Sequence, residues 1–398
     1  MTTFSVQFLG CKVSHVDAHE VREALLAGGH AECDDSEVAV VNTCCVTNEA
    51  LSKSRKAAAR AARTHRRVYV TGCGANLAGH AFAGLPSNVV VVARRSEETP
   101  AFVAGDVGAI GCVQANARLD RVRAFVKVQD GCSFSCNFCV IPLVRGASRS
   151  RRASAVLAEI ARRVAQGHRE VVLTGINLGC YRDRDAGYDL PQLVRAAGGT
   201  PGLERLRLSS IEINHVNEAL VAALRETPNV SRHLHVPLQS GDDGVLRAMG
   251  RRYSAHTFLR RLAPLQDEFN LTSDVIVGFP AEDERAFANT LRVAREAGLT
   301  KLHVFPYSPR PGTVTERDDS VAPAVKRERS ARLRELSDEA SRARWRTKIG
   351  RNDLVLVDRS GGRGYGDDYS PWIVGGHEVG RFVCVRGASV TGEGILAV

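Results

Sequence analysis

The 398-residue sequence contains no apolar run approaching the roughly 20 residues that a bilayer-spanning helix needs. Its start, MTTFSVQFLG, lacks the basic-then-apolar order of a signal peptide, so the expectation is a cytosolic protein. No internal repeat or low-complexity tract occurs, which excludes a repeat array. Acidic residues are in deficit: 44 Asp and Glu face 54 Lys and Arg, leaving a formal charge of +10 and a pI near 9.2. That balance suits a polyanionic partner without identifying one. The length is enough for two or three domains with separate cores. Cysteine is plentiful instead. Eleven in a reducing compartment point to metal ligands or redox chemistry rather than disulfides.

Between residues 1 and 112, the strand-like runs FSVQFLG, EVAVVN, RRVYVTG and NVVVVA alternate with helical stretches near 15–28 and 48–66. This predicts a parallel sheet covered by helices. Cys11, Cys44 and Cys73 each follow one of those strands directly, in LGCK, NTCC and TGCG. Ligands of open parallel sheets gather at strand carboxyl ends, so three loops are expected to deliver thiols to one crevice. Cys45 adjoins Cys44 and competes for its place, while Cys33 precedes its strand and is expected at the opposite end of the sheet.

From about 118 to 307 a second series places strands at AFVKVQ, EVVLTG, RLRLSS, HLHVP, LTSDVIVG and KLHVFPY, with helices between them. Ser154 reads as an N-cap ahead of Leu157, Ile160 and Val164 at helical spacing. Six such units describe a partial form of the eight-fold barrel, whose active site lies at the strand carboxyl ends. Residues 323–349 read as a basic helix with an apolar stripe of Leu333, Leu336, Ala340 and Ala343, stopped by Gly350. The tail is rich in Gly and Val with short alternating runs, which suggests a small antiparallel barrel or sandwich. The expected domains are therefore 1–112, 118–349 and 350–398.

The densest chemistry lies in DGCSFSCNFCVIP, residues 130–142, where Cys132, Cys136 and Cys139 follow the first strand of the second series. A closed zinc site draws on four ligands. Three thiolates instead leave one metal of a four-iron cluster without a protein ligand, and an open iron can bind a small chelating cofactor. Cys112, Cys180 and Cys384 have no partner at ligand spacing and read as packed thiols.

With Phe138 before its last cysteine, this segment resembles the signature of radical S-adenosylmethionine (SAM) enzymes, and the barrel agrees with that superfamily's fold. The resemblance implies a four-iron four-sulfur (4Fe-4S) cluster on Cys132, Cys136 and Cys139, whose open iron binds the amino and carboxylate groups of SAM. Electron transfer then cleaves SAM to a 5′-deoxyadenosyl radical, with Phe138 near the adenine. Gly175, Asn177, Ser209, Ser210, Gln239 and Ser240, on loops after later strands, are the implied SAM pocket. Turn or cap chemistry is the competing role for each of them.

The set Cys11, Cys44 and Cys73 ahead of such a barrel resembles the N-terminal domain of the methylthiotransferases, where these thiols hold an auxiliary 4Fe-4S cluster; NTC matches the family's motif at Cys44. VNTCCVTNEA, LTGINLGCY, HLHVPLQSGDDGVLRAMGRRYS and LHVFPYSPRPGT resemble the branch acting on N6-threonylcarbamoyladenosine in tRNA. The isopentenyladenosine branch usually carries a GQNV-type segment where residues 175–178 read GINL. A ribosomal-protein branch shares both clusters, and a non-catalytic iron–sulfur RNA-binding protein is the reading outside enzymes.

The resemblance thus implies an α/β protein: a Rossmann-like parallel domain, a partial TIM (β/α)6 radical SAM barrel and a C-terminal TRAM β-barrel, the last through GYGDDYSPWIV. The implied reaction puts a methylthio group on carbon 2 of adenosine 37, with both clusters facing one cavity. The anticodon stem-loop of tRNA, an electron donor such as flavodoxin or ferredoxin, and an unidentified sulfur source are the implied partners. Residues 51–67, with seven Lys/Arg and no acid, Arg145–Arg152 and the helix near 326–348 are candidate RNA contacts. Tyr365, Tyr369 and Trp372 are candidates for stacking on unpaired bases.

Overall fold

The computed structural model describes residues 1–77, 81–108 and 122–398, so Cys112 lies outside the described residues. The chain divides into two compact units: Met1–Leu119 with Asp130–Arg149 and Ser308–Asp318, and Asp120–Gln129 with Ser150–Tyr307 and Asp319–Val398. No helix among the described residues is long and apolar enough to cross a membrane.

The first unit is built on a parallel sheet in the spatial order Ala31–Glu32, Thr3–Phe8, Val38–Thr43, Arg67–Gly72, Val89–Val91. Central strands of such a sheet are covered on both faces and read as unbroken apolar runs. Val38 and Val40 meet Val21, Leu25 and Val103 from the helices Lys12–Ala27 and Thr99–Val107. Ala39 and Val41 meet Ala57 and Ala58 of the helix Asn48–Thr64 on the other face. The strand order reverses between Thr3–Phe8 and Val38–Thr43, and that switch point opens a crevice at the carboxyl ends. The two-residue strand Ala31–Glu32 and the helix Thr99–Val107 carry too little periodicity to be expected from sequence.

In the second unit all six expected strands form: Arg123–Asp130, Glu170–Gly175, Arg205–Leu208, His233–His235, Asn270–Val277 and Leu299–Pro306. They are parallel in two sheets, joined by the bridges Leu206 to Val230 and Ser210 to His235. Their outward residues, such as Val126, Leu173, Leu206, Leu234 and Val275, share one core with Val156, Ile160, Phe258 and Phe287 of the helices. Ser154 is not the cap expected: the helix runs Ala153–Ala165 with Arg152 at the N-cap position. The Ala153 N–H donates to Asp183 Oδ2 at 2.7 Å, so the cap comes from a distant loop.

The long helix is Pro323–Arg346, and its buried face carries Lys326, Arg329, Ser330, Leu333, Ser337 and Ser341, while Ala343 is exposed. Of the expected apolar stripe, Leu333 is buried and Leu336 packs against the same core, while serines take the rest of the buried face because this helix lies along the strand Leu299–Pro306. Leu302 N–H donates to Ser337 Oγ at 2.9 Å, and Ser341 Oγ donates to the Thr300 carbonyl at 2.7 Å. Lys326 and Arg329 pair with Asp319 and Glu282, which removes them from the candidate RNA contacts.

The tail closes into a five-stranded barrel, in the order Asn352–Arg359, Arg363–Tyr365, Pro371–Ile373, Ile395–Ala397, Phe382–Val390. Trp372 is in its core with Val355, Val385 and Ile395, not available for stacking. Tyr365 and Tyr369 stack on each other at 4.5 Å, with Arg123 over both rings and Arg207 over Tyr369. These aromatics therefore fasten the closed barrel to the first and third of the six strands, through Arg123 and Arg207. Cys384, expected to be packed, is exposed.

Candidate active site

In the first unit, Cys11 occupies the N-cap position of the helix Lys12–Ala27, and Cys44 and Cys73 directly follow their strands. Ser54 Oγ accepts from the Cys44 N–H at 3.0 Å and donates to the Cys44 carbonyl at 3.1 Å. A Cβ on Gly10 would stand 3.2 Å from Cys44 Cβ, so the LGC and NTC loops lie against each other. Gly72 has φ +83°, and a Cβ there would sit 2.6 Å from Asn42 Oδ1; only glycine lets the TGC loop approach so closely.

Cys44 and Cys73 are 5% and 3% exposed. Burial pushes the Cys44 thiol up, and the charge of Cys11 adds to it. Burial also pushes Cys73 up, opposed by Arg145, while Cys45 and Cys11 act in the same direction as burial. Cys45 is pushed up to about 12 by burial and then by Cys44. Its Sγ donates to the Cys73 carbonyl at 3.4 Å, and its side chain packs among Leu77, Val140 and Val144. Cys33 lies near the amino half of the first strand, its N–H donating to the Phe4 carbonyl.

The loop after Asp130 belongs to the same unit. Gly131 has φ +69°, and a Cβ would fall 2.2 Å from the Ala147 carbonyl oxygen. Cys132 N–H donates to the Gly146 carbonyl at 3.0 Å, and Ser148 N–H to Ser133 Oγ at 3.1 Å, so residues 146–148 strap the loop. Cys139 N–H closes a turn onto the Cys136 carbonyl at 3.1 Å, and Phe134 N–H donates to Cys132 Sγ at 3.4 Å. Cys132, Cys136, Phe138 and Cys139 are all half-buried.

Arg145, at the end of the short helix Ile141–Arg145, is buried rather than turned toward RNA. Its Nε donates to Cys73 Sγ at 3.0 Å, Nη1 to Asp130 Oδ1 at 3.0 Å and Nη2 to Asp17 Oδ2 at 2.6 Å. Arg149 and Arg151 are also engaged internally, with Glu97 and Glu159. A cavity of about 410 Å³ opens here, lined by Cys73, Arg145, Asp17, Asp130, Ser96 and Thr99 among others. Thiols receiving N–H and guanidinium hydrogen bonds are the donor chemistry of an iron–sulfur site.

In the second unit, Gly175 ends its strand, and the buried Asn177 donates its N–H to Gln129 Oε1 at 2.8 Å. Ser209 is buried, its Oγ meeting no acceptor or donor among the described residues. Ser210 bridges to His235. Gln239 adopts φ +63°, rare outside glycine, between the Asp274 carbonyl and the Ile276 N–H. Ser240 instead turns inward, accepting from Asp242 N–H at 3.2 Å beside Thr290 Oγ1. The sequence reading missed His235, Asp274 and His303, whose ligating atoms lie within 4.8 Å of one another on three neighbouring strands. His235 Nε2 is 3.2 Å from Asp274 Oδ1. Their signal was the alternation in HLH, SDV and LHV, with polar residues on the face away from the helix-packed core.

Residues 126–294 match the model of the radical SAM superfamily, and residues 3–93 match one described as uncharacterized protein family UPF0004. The solved radical SAM methyltransferase TsrM of Kitasatospora setae, with tryptophan and a SAM analog bound, has a TM-score of 0.60 at 13% identity, covering 79% of this chain and 75% of that one. That is a likeness of fold. The chain is thus a radical SAM enzyme, a class that works with a 4Fe-4S cluster and SAM.

The threonylcarbamoyladenosine tRNA methylthiotransferase MtaB of Thermotoga maritima is 32% identical over 422 residues, 100% of this chain and 97% of that protein. The Bacillus subtilis protein of the same name is 32% identical, over 97% and 94%. The tRNA-2-methylthio-N(6)-dimethylallyladenosine synthase of Sorangium cellulosum is 35% identical, over 92% and 84%. The chain belongs to the tRNA methylthiotransferase family.

Proposed function

We propose that this chain transfers a methylthio group to carbon 2 of N6-threonylcarbamoyladenosine at position 37 of tRNA. Relatives bearing that activity in their names match over essentially their whole length, and the GINL segment points the same way. The dimethylallyladenosine reading is the second choice: the Sorangium protein of that name is slightly more identical, at 35%, but over a smaller share of both chains. The observation that carries the proposal is the presence of two thiol trios in one compact unit, with Arg145 of one loop donating to Cys73 of the other.

In this reading Cys132, Cys136 and Cys139 hold the cluster that takes SAM, and Cys11, Cys44 and Cys73 hold a second. When bound, these groups supply one-electron chemistry for a ring carbon that has neither an acidic proton nor a leaving group. The protein's own share is placement and dryness. Arg145 favours the thiolate of Cys73 by a charge-assisted hydrogen bond, and Asp17 and Asp130 hold its guanidinium in place. Burial of Cys44 and Cys73 keeps water from the sulfur. Phe138 flanks the adenine of SAM, and Gly175, Asn177, Ser209, Ser210 and Gln239 shape its pocket, with Ser240 supporting the turn. Gln129 orients the Asn177 backbone.

The domains are 1–112, 118–349 and a TRAM-type barrel at 350–398. The exposed Lys53, Lys56, Arg60 and Arg63 of the helix Asn48–Thr64 meet the anticodon stem-loop. A flavodoxin or ferredoxin supplies electrons, and the sulfur comes from outside the chain. Nucleoside analysis of tRNA from a deletion strain tests the proposal: only 2-methylthio-N6-threonylcarbamoyladenosine should disappear and return on complementation. Loss of the isopentenyl derivative instead, or an unchanged methylthio content, overturns it.

A further inference from the structure

Residues 308–318 pass both cysteine loops within the first unit. Asn48 N–H, three residues beyond Cys45, donates to Ser308 Oγ at 3.2 Å. Thr315 donates through N–H and Oγ1 to the carbonyl of Asn137, which lies between Cys136 and Cys139, both at 3.2 Å. Between these anchors Arg310 folds inward and is 2% exposed. Its carbonyl accepts from Thr313 N–H at 3.2 Å and Thr313 Oγ1 at 2.8 Å. Its Nε, Nη1 and Nη2 are all buried, and no group among the described residues accepts from any of them.

A guanidinium keeps its charge and presents five N–H donors in a planar fork. Buried without an acceptor, such a group is among the costliest arrangements a folded protein can hold, so the donor set calls for an anion. The thiols within electrostatic reach of Arg310 are those of Cys45 and Cys44, and Cys45 in turn lies within reach of Cys139. One thiolate leaves most of the fork unused. RNA phosphate does not reach nitrogens that have no solvent exposure.

We propose that Arg310 binds the anionic sulfur that the reaction transfers, hydrosulfide or methanethiolate, beside Cys44. The inference rests on the methylthiotransferase reading and adds an anion-binding residue to it. Arg145 serves the ligand sulfur of Cys73, and Arg310 serves the incoming one.

The test uses the full chain carrying Cys132→Ala, Cys136→Ala and Cys139→Ala, reconstituted anaerobically so that only the second trio holds iron. Sodium sulfide and, separately, sodium methanethiolate are titrated against the electron paramagnetic resonance signal of the reduced cluster. Arg310→Gln should weaken binding by about tenfold or more, the scale of a lost charge-assisted hydrogen bond. Loss with both probes supports binding of the sulfur at both stages. Loss with one alone supports binding at that stage only. Unchanged affinity for both probes at full iron content overturns the proposal. Should Arg310→Gln fail to hold iron, Arg310→Lys decides: weakened affinity at full iron supports the fork, and wild-type affinity overturns it. Failure of the threonylcarbamoyl reading would show in the nucleoside analysis and leave these titrations unaltered.

Discussion

Both units bury arginines, and most of these are paired, as Arg145 is with Asp17 and Asp130, but one in the first unit is left without a partner among the described residues. In the second, Arg205 and Arg207 share Glu170 at 3.3 and 2.8 Å and spend further donors on Ser231 Oγ and on carbonyls of the closed barrel, including Tyr365 and Gly366. In the first, Arg310 is buried near thiols, and no group among the described residues accepts its hydrogen bonds. A satisfied network fixes one structure against another. An unsatisfied one, where the other buried charges among the described residues are paired, marks a place prepared for a ligand.

The largest effect expected along this contrast is at the cluster cysteines. Cys139→Ala should abolish formation of 5′-deoxyadenosine from SAM under dithionite, read by chromatography. Cys44→Ala should leave that cleavage intact and stop methylthio transfer, while Cys45→Ala, which loses a packed thiol and its bond to a carbonyl but no cluster ligand, should still make product. The reverse result would move the ligand from Cys44 to Cys45.

In the satisfied region, Glu170→Ala strips the counter-charge from Arg205 and Arg207 and should cost about 3–5 kcal/mol in denaturant unfolding. A loss under about 1 kcal/mol would mean the carbonyls alone hold those arginines. The same region should respond to acid. Burial pushes Glu170 up, but Arg207, Arg205 and Arg123 hold it below the usual carboxylate range. Asp368 is likewise pushed up by burial and held low by Lys348 and Arg344. A lowered folded pKa contributes stability that is present above the ordinary value, about pH 4, and lost as pH falls through the folded one. Unfolding free energy should therefore drop on acidification below about pH 4, and Glu170→Gln should flatten that slope. Lys53→Ala breaks only an exposed pair with Glu49 and should leave the melting temperature unchanged.

Much of the fold was legible from residues near one another in the chain. The six strands of the second unit and the alternation of the first followed from local apolar periodicity. The place of the thiols followed from their position just after strands. Ser154, the alanine end of the stripe on the long helix, Arg145 and Tyr365 were misread for one shared reason: each is decided by a group far away in sequence. Asp183 caps the helix thought to start at Ser154, and Thr300 draws Ser341 inward. Asp17 takes Arg145, and Arg123 covers Tyr365. His235, Asp274 and His303 were legible as alternating polar positions, but their convergence needs three strands in register.

By itself the sequence determined which thiols are grouped and after which strands, because strand and loop preferences act over a few residues. Only the tertiary structure decided that Arg145, Arg205 and Arg207 are spoken for and that the buried Arg310 meets no acceptor among the described residues. Charge compensation acts through space, and neighbours in space need not be neighbours along the chain.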